Sequence, residues 1–213
     1  KTTLASQIFG LNPNSKVKMT LNGNAYKPKS PKDAIAAGVF MCPKDRASNA
    51  VISEFDISNN LAIPFFKKHS SLSFLRSKSL TQNAKNSIDE LGIVCQSEMD
   101  SVTTLSGGNQ QKVMVGRWLA EESFVLLLDE PFQGVDIKAR RDIGLQIRST
   151  SGKRATLIFV AELDEALEIA DRVIVLHEGN LVGEYKNKSK NIPEIISSFS
   201  GSTYKQDSSN YGT

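Results

Sequence analysis

Cysteine is nearly missing from this 213-residue chain: there are two, Cys42 and Cys95, far apart and each in or beside an apolar stretch. Such a pair excludes a disulfide-stapled framework and reads as two buried, reduced thiols. Long hydrophobic runs are missing too. The longest is about five residues, against ~20 for a membrane-crossing helix, and no basic-then-apolar signal segment opens the chain. A cytosolic protein is therefore expected. Charge of one sign is also lacking, because 26 basic and 23 acidic residues are interspersed to a net +3. That balance gives no argument for nucleic acid as a partner. No internal repeat is visible, and no heptad run offers a coiled coil. The chain opens on Lys1-Thr2-Thr3-Leu4 without an initiator methionine, so it reads as a fragment or a renumbered chain.

What is present is an alternation of short apolar runs and amphipathic segments. Lys1 to Phe9 reads as a helix with Leu4, Ile8 and Phe9 on one face, stopped by Gly10. Lys16 to Leu21 alternates as a strand, and Asn22-Gly23 after it is a hairpin signal. Ser30-Pro31 supplies an N-cap and a first-turn proline for a short helix before the apolar strand Val39 to Cys42. From Pro43 to about Asp100 the pattern is helical and irregular, with helices over Ile57 to Phe66 and Thr81 to Leu91 separated by a Ser/Lys-rich loop. Three later runs, Phe124 to Leu128, Ala155 to Val160 and Val173 to Leu176, alternate with helical segments over 109–122, 137–149 and 163–170. Strands apolar on both faces and separated by helices predict a parallel α/β sheet. A last strand, Leu181 to Tyr185, and a helix over Ile192 to Phe199 precede a polar tail, 201–213, expected to be mobile.

Three places carry chemistry. Lys1-Thr2-Thr3 at the head of a helix matches the end of a phosphate-binding loop, where the lysine reaches the β and γ phosphates and the hydroxyl meets Mg²⁺. Taken alone it marks only the start of a helix. Phe124 to Pro131 is an apolar strand delivering two consecutive carboxylates at its C-terminal end, the place where open α/β sheets bind ligands. There Asp129 suits a Mg²⁺ ion and Glu130 suits polarising an attacking water; a strand ending in a solvated acidic turn is the plainer alternative. Leu105-Ser106-Gly107-Gly108-Asn109-Gln110 places a serine and two glycines before a helix, either a second anion site or an ordinary N-cap with a flexible approach.

With these motifs in order, the chain resembles the ATP-binding cassette ATPases from Lys1 to about Phe199. Leu105 to Gly108 matches the family's signature, Asp129-Glu130-Pro131 its Walker B strand and catalytic glutamate, and Gly134-Val135-Asp136 its D-loop. Ser106 to Lys112 and the Asp45-Arg46 pair are similar to the second cassette of tandem sugar-importer ATPases of the ribose, galactose, xylose and autoinducer class. The resemblance implies a RecA-like P-loop core with a mostly parallel sheet, a small antiparallel β piece and an inserted helical subdomain over about 44–104. It implies ATP and Mg²⁺ as cofactors. Lys1, Thr2, Thr3, Ser106, Gly107, Gly108, Gln110 and Asp136 would contact nucleotide, Thr2 and Asp129 the metal, and Glu130 the attacking water.

The implied partners are a second cassette facing Ser106, transmembrane permease subunits and, indirectly, a solute-binding protein, with the domain peripheral on the inner face of the membrane. A first cassette and the glycine-rich loop would precede Lys1 in the parent chain. The permease would dock over Lys44 to about Phe66, with Phe55, Phe65 or Phe66 exposed for it.

Two departures bear on activity. Lys44 stands near the Q-loop glutamine position, and Ala161 stands where most cassettes carry a switch histidine. These allow a second reading, a regulatory half that closes on ATP without turning it over; a third, a soluble cassette ATPase acting on DNA or ribosomes, is disfavoured by the lack of a heptad run. Phe132-Gln133 also replaces the usual small polar pair of the D-loop region. The histidines do not substitute for the switch, since His69 lies in a basic loop and His177 before a turn. Lys67, Lys68, Arg76 and Lys78, near Phe65, Phe66 and Phe74, read as a solvated helical face.

Overall fold

The computed structural model describes residues 1–13, 17–44, 51–71, 74–75, 77–152 and 154–201. Asp45-Arg46 and the tail beyond Gly201 lie outside the described residues, as do Arg76 and the side chains of Lys67, Lys68 and His69. The chain divides into two compact units, Lys1–Phe159 and Val160–Thr213.

In the first unit, helix α1 (Thr2–Ile8) leads to a hairpin of β1 (Met19–Leu21) and β2 (Asn24–Tyr26). Asn22 and Gly23 turn that hairpin with φ of 51° and 80°, the left-handed pair that a tight two-residue turn requires. The inner face of α1 includes Phe9 as expected but not Leu4: Ala5 and Phe9 are buried while Leu4 is exposed, and Phe9 meets Trp118 edge-on, ring centroids 6.3 Å apart. Helix α2 (Pro31–Ala36) begins at Ser30, whose hydroxyl accepts from the Asp33 N–H.

Strands β3 (Val39–Cys42), β6 (Val125–Asp129) and β7 (Ala155–Phe159) form a parallel sheet in the order β3-β6-β7. Val39 pairs with Val125, and Leu128 lies between Cys42 and Ile158. The central strand and β3 are covered on both faces, which explains their unbroken apolar sequence.

Between β3 and β6 lies the helical portion. Helix α3 (Ile57–Ala62) is capped by Asp56, whose carboxylate accepts from the Asn59 N–H at 2.7 Å. It does not run on as an α-helix to Phe66: Ile63–His69 is a tighter 3₁₀ segment broken at Phe65, where Pro64 supplies no N–H. The expected Ser/Lys-rich loop contains two short antiparallel strands, β4 (Ser70–Ser71) and β5 (Phe74–Leu75). Helix α4 (Ser77–Leu91) ends at Gly92, φ 57°. With α5 (Gly107–Leu119) these helices enclose a core of Ile57, Leu61, Ala84, Leu91, Val102 and Val113. Helix α6 (Ile137–Ser149) then covers the ground between β6 and β7 in sequence, with Ala139, Ile143 and Ile147 turned inward. Cys42 and Cys95 are both free thiols; Cys42 is buried, Cys95 only half so.

The second unit holds α7 (Leu163–Ile169), β8 (Arg172–His177), β9 (Asn180–Lys186) and α8 (Ile192–Phe199). The Val173 to Leu176 run was expected in the parallel sheet; instead β8 pairs antiparallel with β9 across a Glu178-Gly179 turn. The reason lies in its alternation. Val173 and Val175 pack with Ile195, while Ile174 and Leu176 are exposed, the pattern of a strand with one covered face. Asn187 closes α7 by donating its amide to the Leu167 and Ala170 carbonyls, both at 2.8 Å.

Candidate functional site

The parallel sheet fixes the two carboxylates. Hydrogen bonding to β3 and β7 drives β6 through the core, and Asp129 ends it, paired with Phe159. Asp129 is 1% exposed, and among the described residues neither of its carboxylate oxygens has a hydrogen-bond partner. Leaving a buried carboxylate unpartnered is costly. A carboxylate of this kind at the end of a central strand fits a hard divalent cation, an oxygen-seeking ligand that would satisfy it.

Glu130 follows in the left-handed region, φ 51°, an uncommon and strained backbone for a glutamate. Its N–H is tied to the Phe159 carbonyl at 2.8 Å and its carbonyl accepts from Gln133 at 3.2 Å, so the strain is held from both sides. This turn swings the Glu130 carboxylate out of the strand direction. Lys1, which precedes the first turn of α1, donates from Nζ to Glu130 Oε1 at 3.2 Å. The sequence-predicted lysine and glutamate, 129 positions apart, are thus brought into contact. Thr2 and Thr3 open α1 beside Lys1 and are exposed.

The second cluster gathers at the start of α5. Ser106 caps the helix and accepts from Asn109, from the backbone N–H at 3.4 Å and from Nδ2 at 3.0 Å. Ser106 and Gly107 are exposed. Gln110 folds its amide back onto the Leu105 carbonyl at 3.2 Å. Gly108 sits where α5 meets the start of α6: a Cβ there would lie 3.1 Å from Ala139 Cβ and 3.7 Å from Asp136 Oδ2. Asp136 itself caps α6, accepting from the Ala139 N–H at 2.8 Å. The signature and the D-loop aspartate are therefore packed together, through the absence of a side chain at Gly108.

Of the departures, Lys44 is exposed at the end of β3, and Ala161 and Glu162 are exposed in the second unit. Phe132 is buried, so of the Phe132-Gln133 pair only Gln133 is presented to solvent. The aromatic docking residues differ from expectation. Phe55, Phe65 and Phe66 are each half-buried, and the Phe65 ring packs on Phe40 at 5.2 Å and Trp118 at 6.0 Å. Burying three rings in one cluster removes more apolar surface from water than exposing one of them.

The sequence reading missed a polar network beneath these rings. Arg117, on α5, donates from Nε to the Asn60 carbonyl at 2.6 Å and from a terminal nitrogen to Asn60 Oδ1 at 3.2 Å. Burial lowers the Arg117 guanidinium to about 10, opposed by the Cys42 thiol nearby. Cys42 is pushed up to about 12, by burial first, with Arg117 pulling it down and Asp129 pushing it further up. Nothing periodic announces such residues; an arginine and an asparagine inside apolar helical segments are the only trace.

The family model described as ABC transporter matches residues 1–133. The chain is 33% identical, over 92% of its length, to the galactose/methyl galactoside import ATP-binding protein MglA of Fusobacterium nucleatum, of which it covers 40%. It is 33% identical, over 94% of its length, to the ribose import ATP-binding protein RbsA 2 of Rubrobacter xylanophilus, covering 39% of it. It is 37% identical, over 92%, to the arabinose import ATP-binding protein AraG of Pseudomonas fluorescens, covering 38%. The chain thus spans about two-fifths of the length of these relatives. Among solved structures it is similar to the ATP-binding cassette MJ0796 in a post-hydrolysis state bound to ADP and Pi, with a TM-score of 0.73 and 16% identity, covering 88% of this chain and 80% of that one. A likeness of that identity shows the shared fold.

Proposed function

The chain belongs to the ABC transporter ATPase family, and from that premise we propose that it is the ATP-binding and hydrolysing domain of an importer with sugars as the solute class. The observation that carries this reading is the pair of groups at the end of β6: a buried, unpartnered Asp129 carboxylate beside a Glu130 held out of the strand and bonded to Lys1. Lys1, with the free N–H groups that open α1, offers positive charge to the β and γ phosphates. Asp129 and the Thr2 hydroxyl would hold Mg²⁺, which supplies neutralisation of phosphate charge when bound. Glu130 orients the attacking water and accepts its proton.

The exposed Ser106-Gly107 end of α5, backed by Asp136 across Gly108, presents its N–H groups outward to nucleotide held by a second cassette. Closure of two cassettes would drive permease subunits docked over the segment from Lys44 to Phe66, fed by a solute-binding protein outside. That arrangement would put the domain on the cytoplasmic face of a membrane. The import names of the relatives support sugars as cargo.

Ala161 favours one other reading, since a methyl group cannot hydrogen-bond a γ-phosphate. The domain would then close on ATP and leave turnover to its partner. Steady-state ATPase of the full-length parent protein against Glu130→Gln separates the two. Loss of a general base predicts a fall of roughly 10²-fold or more. An unchanged rate would assign the hydrolysis elsewhere.

A further inference from the structure

Asn60 does more than fill α3. It is fully buried, and its side-chain amide donates to three carbonyls in the loop before it: Ile52 at 3.0 Å, Phe55 at 3.1 Å and Asp56 at 3.0 Å. Its Oδ1 accepts from the Ile52 N–H at 3.0 Å. One side chain therefore dictates the course of residues 52–56. Arg117 in turn grips Asn60 at both its backbone and side-chain oxygens.

Arg117 lies at the far end of α5, the helix that Ser106 opens. Among the described residues both of its hydrogen bonds go to Asn60. A guanidinium 5% exposed, answered by amide oxygens and not by a carboxylate, is a poor bargain for stability alone. The loop and the head of α3 are both joined to the segment leading to the signature: at the head of α3 the Ile57 N–H donates to Asp100 O at 3.0 Å and the Ser58 N–H to Glu98 O at 2.9 Å, and the Val102 N–H donates to Phe55 O of the loop at 3.4 Å. The segment that leads into α5, through 98–102, and the Arg117 end of α5, through Asn60, thus both hold the 52–56 loop and the head of α3.

We infer that Asn60, gripped by Arg117, is a positioning residue that makes the 52–56 loop and the signature helix α5 move as one body, so that a membrane partner seated on the loop controls where Ser106 points. This rests on the permease-docking reading proposed above. Both side chains are buried, and both act through the helix.

Asn60→Asp isolates the effect, because an aspartate keeps the acceptor for Arg117 and the Ile52 N–H but loses all three donations to loop carbonyls. The test uses the full-length protein with its permease in proteoliposomes, and three readouts. Hydrogen exchange over residues 51–61 should quicken about tenfold or more. Nucleotide affinity, read with a fluorescent ATP analogue, should stay within about twofold. The transport-stimulated share of the ATPase should fall severalfold, and Arg117→Lys should show the same split between binding and stimulation. Unchanged exchange, or a loss of nucleotide binding equal to the loss of stimulation, would overturn the positioning role. Phe55→Asp, measured alongside, tests the docking reading itself. If it leaves stimulation intact while Asn60→Asp abolishes it, the loop is not the docking surface, though Asn60 still positions α5. If both leave stimulation intact with a loosened loop, the coupling is refuted.

Discussion

Replacing Asp129 by asparagine should make the nucleotide-free protein more stable and remove its response to Mg²⁺ with ATP. The carboxylate is buried at the end of β6, and both oxygens are without a hydrogen-bond partner among the described residues. An unsatisfied buried polar group costs about 1–3 kcal/mol, and more when charged. Asparagine has nearly the same shape, so no cavity opens, and its amide is still unsatisfied but carries no charge. The difference is a gain of about 1–2 kcal/mol, if the charged orphan sits at the upper end of that range and the neutral one at the lower. For a protein of 150–250 residues each kcal/mol moves Tm by ~2–4 °C, so the transition of this domain should rise by roughly 2–8 °C in a chelator-containing buffer.

With Mg²⁺ and ATP at a hundred times the dissociation constant the wild-type site should gain ~2.7 kcal/mol by mass action. The variant, lacking the anionic ligand, should gain far less. Differential scanning fluorimetry on the full-length protein, with and without Mg²⁺ and ATP, reads both quantities. An unliganded variant that melts at or below the wild type would refute the reasoning, because it would mean that the Asp129 oxygens are already satisfied and give no ground for a cation there.

Two further outcomes follow from packing and burial. Gly116 lies inside α5 where an added Cβ would come within 2.6 Å of Leu91 Cδ1 and 3.3 Å of Leu61 Cδ2. Gly116→Ala gains up to ~1 kcal/mol of helix propensity, but overpacking costs about 1–3 kcal/mol, so the urea midpoint should fall; a rise would show that the helices can part freely. Cys42, pushed up to about 12 by burial, should resist alkylation at pH 8 while half-buried Cys95 reacts. A thiol whose native pKa is raised stabilises the fold fully below the unfolded value near 9 and loses that contribution as pH climbs from there towards 12. Arg117, lowered to about 10, opposes this at the upper end. Comparing wild type with Cys42→Ala isolates the thiol: the variant should lose stability less steeply above pH 9, and parallel curves would count against it.

How much of this was legible depends on how local each determinant is. Ser30-Pro31 and Asn22-Gly23 specify their cap or turn within four residues, and the structure places the helix start or hairpin where those residues stand. The Lys1–Glu130 contact was legible only through the order of motifs, since no local rule joins residues so distant. The Val173 to Leu176 run misled because a short apolar run does not declare which neighbour it pairs with; the alternation of burial in β8 and the Glu178-Gly179 turn decide for an antiparallel hairpin.

Phe65 shows the converse limit. Beside lysines in sequence it reads as surface, yet Pro64 bends the chain so that the ring turns onto Phe40 and Trp118. With Phe65 half-buried, the exposed groups of the neighbouring 52–56 loop are Ile52, Ser53 and Glu54. That loop takes its shape from one asparagine, and Asn60 is polar, fully buried and undetectable by hydrophobic period. A residue that defines a surface without appearing on it leaves no pattern in composition or spacing. Only the geometry of its donors and acceptors reveals that Asn60 bonds both to the loop and to Arg117 of α5.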